Sequence, residues 1–142
     1  MEDSYNGFMQ THSSLPLSRR ATVVAATLDI VVILLFAWIG RSAHAEELTV
    51  LGTLQTAWPF LVGAAVGWTL VRAWKRPWAL VRTGLPVWAT SLVVGMGLRA
   101  LTGSGIALPF VIVATVSLLI GLAGWRGIAA LTRRLDREPR AD

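Results

Sequence analysis

The chain has no cysteine, one tyrosine, one lysine and two histidines among its 142 residues. Without cysteine there is no disulfide framework, thiolate metal site, thiol nucleophile or iron–sulfur cluster. His12 and His44 stand far apart and give no metal-ligand spacing. Charge is scarce as well. Charged residues make up 15% of the chain, where a soluble domain carries about 25%. No Walker A loop, zinc-protease pair, nucleophile elbow or haem attachment site is present. Neither a metal nor a cofactor is therefore expected, and the sequence carries no positive signal for an enzyme.

What remains is apolar. Hydrophobic residues make up 54% of the chain, and the mean hydropathy is +0.60. Four apolar runs are evident, over residues 21–40, 53–71, 83–101 and 107–125. At 1.5 Å rise per residue each is long enough to cross a hydrocarbon core of about 30 Å. Backbone groups in lipid must pair within their own segment, so helices are the form these runs can take. The spacing predicts an all-α membrane protein, a bundle of four transmembrane helices over residues 19–126. Residues 1–18 read as a disordered polar tail. Residues 127–142 read as a basic amphipathic tail lying on anionic lipid, with Ile128, Leu131 and Leu135 on one face. Pro59, Pro86 and Pro109 are each expected in the first turns of a run, where proline is tolerated.

Lysine and arginine number 13 against 8 acids, a formal excess of +5. With a cytoplasmic N-terminus, 11 of these cations fall inside and only Arg41 and Arg99 fall outside. The positive-inside rule therefore places both termini in the cytoplasm of a multi-pass cell-membrane protein. The basic excess points to anionic lipid at the cytoplasmic face rather than to nucleic acid. A rival pattern is Arg19-Arg20, the first apolar run and Ala43-His44-Ala45, which imitates a cleavable signal. The run is longer than the usual apolar region of a signal, so a retained helix is the expectation.

Polar groups at membrane depth are the candidate chemistry. Asp29 lies about 12 Å into the first run. Ser91, Ser117 and Gly67 fall near the same layer. A mid-helix aspartate costs about 2.5–3.5 kcal/mol on insertion scales, so it should face the bundle. One reading makes Asp29, with Ser91 and Ser117, a site for a proton, cation or small solute. The other makes it a hydrogen-bonded device that fixes helix register. Arg41, His44 and Arg99 form a second candidate cluster at the outer level, able to take an anionic headgroup or carboxylate. The plainer reading there is arginines that snorkel and pair with Glu46 and Glu47. Gly63, Gly67, Gly95 and Gly97 mark faces for close helix packing, within the bundle or in a homo-oligomer or with a membrane partner. Trp58-Pro59-Phe60 is echoed weakly by Leu108-Pro109-Phe110, which hints at a repeat of two helical hairpins.

The pattern resembles an integral-membrane family, domain of unknown function 3054. The residues that carry the resemblance are Asp29, Ile39-Gly40-Arg41 with His44, and Pro59-Phe60 with Gly63, Gly67 and Trp68. Gly95-Met96-Gly97-Leu98-Arg99 and Gly124-Trp125-Arg126 complete it. The resemblance implies a small four-helix membrane protein and puts weight on Asp29, Arg41 and Arg99. It implies no activity. Two function classes follow from the residues: a protein that binds or passes a small solute or proton, and a non-catalytic scaffold or accessory subunit.

Overall fold

The computed structural model describes residues 17–43 and 49–136. His12, His44, Glu46, Glu47, Arg137 and Arg140 lie outside them. Helix α1 spans Leu17–Ala43 and α2 spans Val50–Leu70. A 3-10 turn, Ala73–Lys75, follows. A π-helical turn, Leu80–Gly84, leads into α3, Leu85–Leu101. Helix α4, Leu108–Leu118, passes through a second π turn, Leu119–Ala123, into α5, Gly124–Leu135. Four stretches are long and apolar enough to cross a membrane: Ser18–Ser42, Val50–Leu70, Leu80–Leu101 and Leu108–Leu135. No strand occurs among the described residues. The chain is a multi-pass, all-helical membrane protein.

Helix α1 packs on α2 and on α4, α2 packs on α3, and α3 closes the ring on α4. The interior is built from small and aromatic side chains. Ala37, Ala57 and Ala114 are fully enclosed in one cluster with Ile33, Phe60, Leu118 and Leu122. Large apolar residues such as Val23, Leu35, Val93 and Ile120 point outward. Lipid tails are as apolar as leucine, so close packing rather than hydrophobic segregation must hold such helices together.

Helix α2 shows where sequence reading placed a boundary wrongly. Hydropathy starts the run at Thr53, but Thr49 caps the helix and its hydroxyl accepts from Gly52 N at 3.0 Å. Satisfying a free N–H at the first turn sets the start, whatever the hydropathy. Pro59 is therefore buried in mid-helix, not in the first turn. Pro86 and Pro109 do occupy first-turn positions.

The fourth helix runs past the apolar run. It continues beyond Trp125 through α5 to Leu135, so the first part of the expected basic tail is helical and joined to the fourth span. Arg126 is thus an interior residue of a long helix. Residues 137–142 of the expected tail lie outside the described residues.

Candidate functional site

Asp29 is 2% exposed on α1, and Arg126 on α5 is fully buried. Arg126 Nη1 donates to Asp29 Oδ1 and Nη2 to Oδ2, each at 2.8 Å. Two indoles complete the carboxylate. Trp68 Nε1 on α2 donates to Oδ2 at 2.9 Å, and Trp125 Nε1 donates to Oδ1 at 3.0 Å. Each oxygen thus accepts two hydrogen bonds from N–H donors. The guanidinium is satisfied in turn. Its Nε donates to the Pro77 carbonyl at 3.0 Å and Nη1 to the Leu122 carbonyl at 2.6 Å. Its carbon lies 4.2 Å from the Trp125 ring centroid. Planar forks of this kind are what arginine offers and lysine does not.

Local structure explains how these groups converge. Ala114, Leu118, Leu122 and Arg126 are buried at intervals of four. In a regular α-helix each such step overshoots a turn by about 40°, so three steps drift by about 120°. The wider π turn at Leu119–Ala123 takes up part of this drift and helps keep Arg126 on the inner face. On the other side of the guanidinium, Gly84 supplies space. A Cβ there would sit 2.9 Å from Arg126 Cδ. The Pro77 carbonyl is held by an ordered loop in which Thr83 Oγ1 donates to Arg76 O at 2.8 Å. Arg72 opens that loop in the left-handed region, at φ 49°.

One wall of this polar centre is open. Asp29 and Trp68 line a cavity of about 420 Å³ between α1 and α2, with Ala26, Ile30, Ile33, Leu61, Ala64 and Ala65. The lining is apolar except at the carboxylate and the indole. Chemically the centre is an ion pair of zero net charge beside an apolar chamber, not an isolated acid.

The other residues singled out by sequence fall elsewhere. Ser91 is fully buried, but its hydroxyl donates to the Phe60 carbonyl at 2.8 Å. It ties α3 to α2. Ser117 is half-buried on α4. Neither takes part in the hydrogen bonds that surround Asp29. Gly63 and Gly67 let α2 approach α3. A Cβ at Gly63 would lie 2.7 Å from Ser91 Cα, and one at Gly67 would run into Thr90 Oγ1. Gly95 gives room to the Phe60 ring, whereas Gly97 meets nothing described within 4 Å. Gly97 is therefore no packing glycine of this bundle.

Arg41 and Arg99 come together at the opposite end. They line one cavity of about 410 Å³ with Phe36, Gly40, Thr56, Ala107, Pro109, Phe110 and Val113. Arg99 lies 4.2 Å from the Phe110 ring centroid and donates to Ser104 O at 3.0 Å. His44, the third member of that expected cluster, lies outside the described residues.

Three residues of the Asp29 centre escaped sequence reasoning. Trp68, Trp125 and Arg126 enter the sequence reading only as residues of the family pattern, not as site candidates. The available signal was position. Arg126 follows a span that ends on the side from which Asp29 is approached, and a mid-membrane acid needs a partner.

The chain belongs to the family described as protein of unknown function (DUF3054), whose model matches residues 26–129. The match takes in Asp29, Trp68, Trp125 and Arg126. No curated protein and no solved structure matches the chain.

Proposed function

We propose that this protein is a small multi-pass protein of the cell membrane, with both termini cytoplasmic, that binds a small solute beside Asp29. The observation that carries the proposal is the apolar cavity of about 420 Å³ with one carboxylate and one indole in its wall. A cavity of this size suits a small molecule. The occupant is mostly apolar and carries one cationic or hydrogen-bond-donor group. That group competes with Trp68 for Asp29 Oδ2, while Arg126 keeps the carboxylate from standing alone. Passage of the solute, or of a proton with it, requires this exchange of partners.

The orientation rests on the arrangement of cations. Arg19, Arg20, Lys75, Arg76, Arg133 and Arg134 gather at one end, where they suit an anionic lipid surface. The test is native mass spectrometry of the full-length chain released gently from its own membranes. A bound small molecule is expected on the wild type and is lost from Ala65→Phe, which fills the cavity. An unliganded chain, or equal loading of the filled variant, overturns the proposal.

A second reading has one observation in its favour. Every oxygen site of Asp29 is already served by protein donors. On that reading the pair is a clamp, and the protein is a non-catalytic scaffold or accessory subunit that forms a homo-oligomer or meets a membrane partner. Cavity filling then leaves function intact, and loss of Asp29 removes fold and function together.

A further inference from the structure

At the end of the bundle opposite Leu17 and Leu135, Arg41 and Arg99 stand among the described residues and share one cavity. Arg41 stands in the last turn of α1 and Arg99 in the last turn of α3. The sequence places them at one level, but independent snorkelling would send each toward water on its own side. Instead both line the same chamber of about 410 Å³.

Both guanidinium groups are seated by structural features. Arg99 stacks on Phe110 and is held by the Ser104 carbonyl. Arg41 lies across Gly52, where a Cβ would come within 2.5 Å of the guanidinium carbon. The lack of a side chain at Gly52 is therefore what admits it. The start of α4 adds a third positive element. Ala107 and Pro109 line the chamber, and Ala107 offers no capping side chain. The start of α4, with the partial positive charge of a helix N-terminus, thus borders the same space. Thr56 spends its hydroxyl proton on the Gly52 carbonyl at 3.2 Å. The rest of the wall is apolar, from Phe36, Phe110 and Val113.

Independently of the Asp29 reading, we propose that this chamber binds an amphipathic anion, a phosphate or carboxylate joined to an apolar body. The charged group lies between Arg41 and Arg99, and the apolar part lies against Phe36 and Phe110. An anionic lipid headgroup and a soluble amphiphile share this chemistry.

The test uses the full-length protein in a neutral detergent, with octyl phosphate and phosphatidylglycerol as probes. Octyl glucoside and phosphatidylcholine are the uncharged and zwitterionic controls. The wild type binds an anionic probe in preference to its control. Arg41→Gln and Arg99→Gln each weaken that binding by about tenfold, the effect of losing one charge-assisted hydrogen bond. Leu101→Ala, exposed at the same end but outside the chamber, leaves it unchanged. Val113→Trp fills the chamber while keeping both arginines and abolishes binding, so the test stands even if an arginine variant fails to fold. Phosphatidylglycerol that displaces octyl phosphate identifies the lipid as the occupant. Octyl phosphate that resists displacement identifies a soluble amphiphile. Equal binding of anionic and control probes, or anion binding that survives Val113→Trp, overturns the proposal.

Discussion

Arg126 reaches Asp29 across 97 positions of sequence and meets both carboxylate oxygens at 2.8 Å. The contact joins the last helix to the first and draws the α2–α3 loop in through the Pro77 carbonyl. Burial of a charge pair is expensive, and attraction repays it only when the remaining donors and acceptors are satisfied. Trp68, Trp125, Pro77 and Leu122 meet that condition here. The polar centre therefore specifies which helices meet and in what register.

Removing one partner should be severe. Arg126→Leu leaves a buried carboxylate without its counter-charge and is expected to cost about 3–5 kcal/mol. Arg126→Lys keeps the charge but not the fork, and should recover only part of that loss. Unfolding free energies measured by steric trapping in bicelles check both.

The indoles contribute less. Trp68→Phe and Trp125→Phe each remove one hydrogen bond to a charged acceptor and should cost about 1.5–3 kcal/mol. Trp125→Phe should fall at the upper end, because Trp125 also packs edge-to-face on Trp78 at 5.2 Å. The same unfolding measurement, with tryptophan emission recorded for each variant, ranks the two.

The glycines of α2 and α3 should divide sharply. Gly63→Ala drives a methyl against the α3 backbone and should cost about 1–3 kcal/mol through overpacking. Gly97→Ala enters open space, and should be neutral or stabilise by up to about 1 kcal/mol through helix propensity. Paired thermal unfolding of the two variants tests the contrast.

Arg72 carries backbone strain at φ 49°. Left-handed geometry costs a non-glycine residue about 1–2 kcal/mol. Arg72→Gly should therefore leave stability unchanged or raise it by up to about 1 kcal/mol, glycine's own entropy offsetting part of the relief. A loss of stability would show that the arginine side chain matters more than the backbone.

Four spans and a buried Asp29 are legible in the sequence, because apolar runs of this length and a lone mid-run acid have few physical outcomes. The partner of Asp29 is harder to read. A hydropathy pattern ends a span at its first arginine, so Arg126 looks solvated. The π turn before it, invisible to a regular 3.6-residue reading, helps bring Leu122 and Arg126 back to the face of Leu118. Ser91 illustrates the opposite error. Its depth matches Asp29, yet depth alone does not say which neighbour a hydroxyl faces, and it meets the Phe60 carbonyl. Arg41 and Arg99 share a level that the sequence could estimate. Their convergence on one chamber depends on packing order, which four apolar runs leave open.

The most direct test of the Asp29–Arg126 centre is a double-mutant cycle with Asp29→Leu and Arg126→Met, read as unfolding free energy in bicelles. The double variant should be more stable than either single variant, with a coupling of at least about 2 kcal/mol, because each single change strands a buried charge. Single effects that add to the double within about 0.5 kcal/mol would contradict it, since independent sites behave in that way.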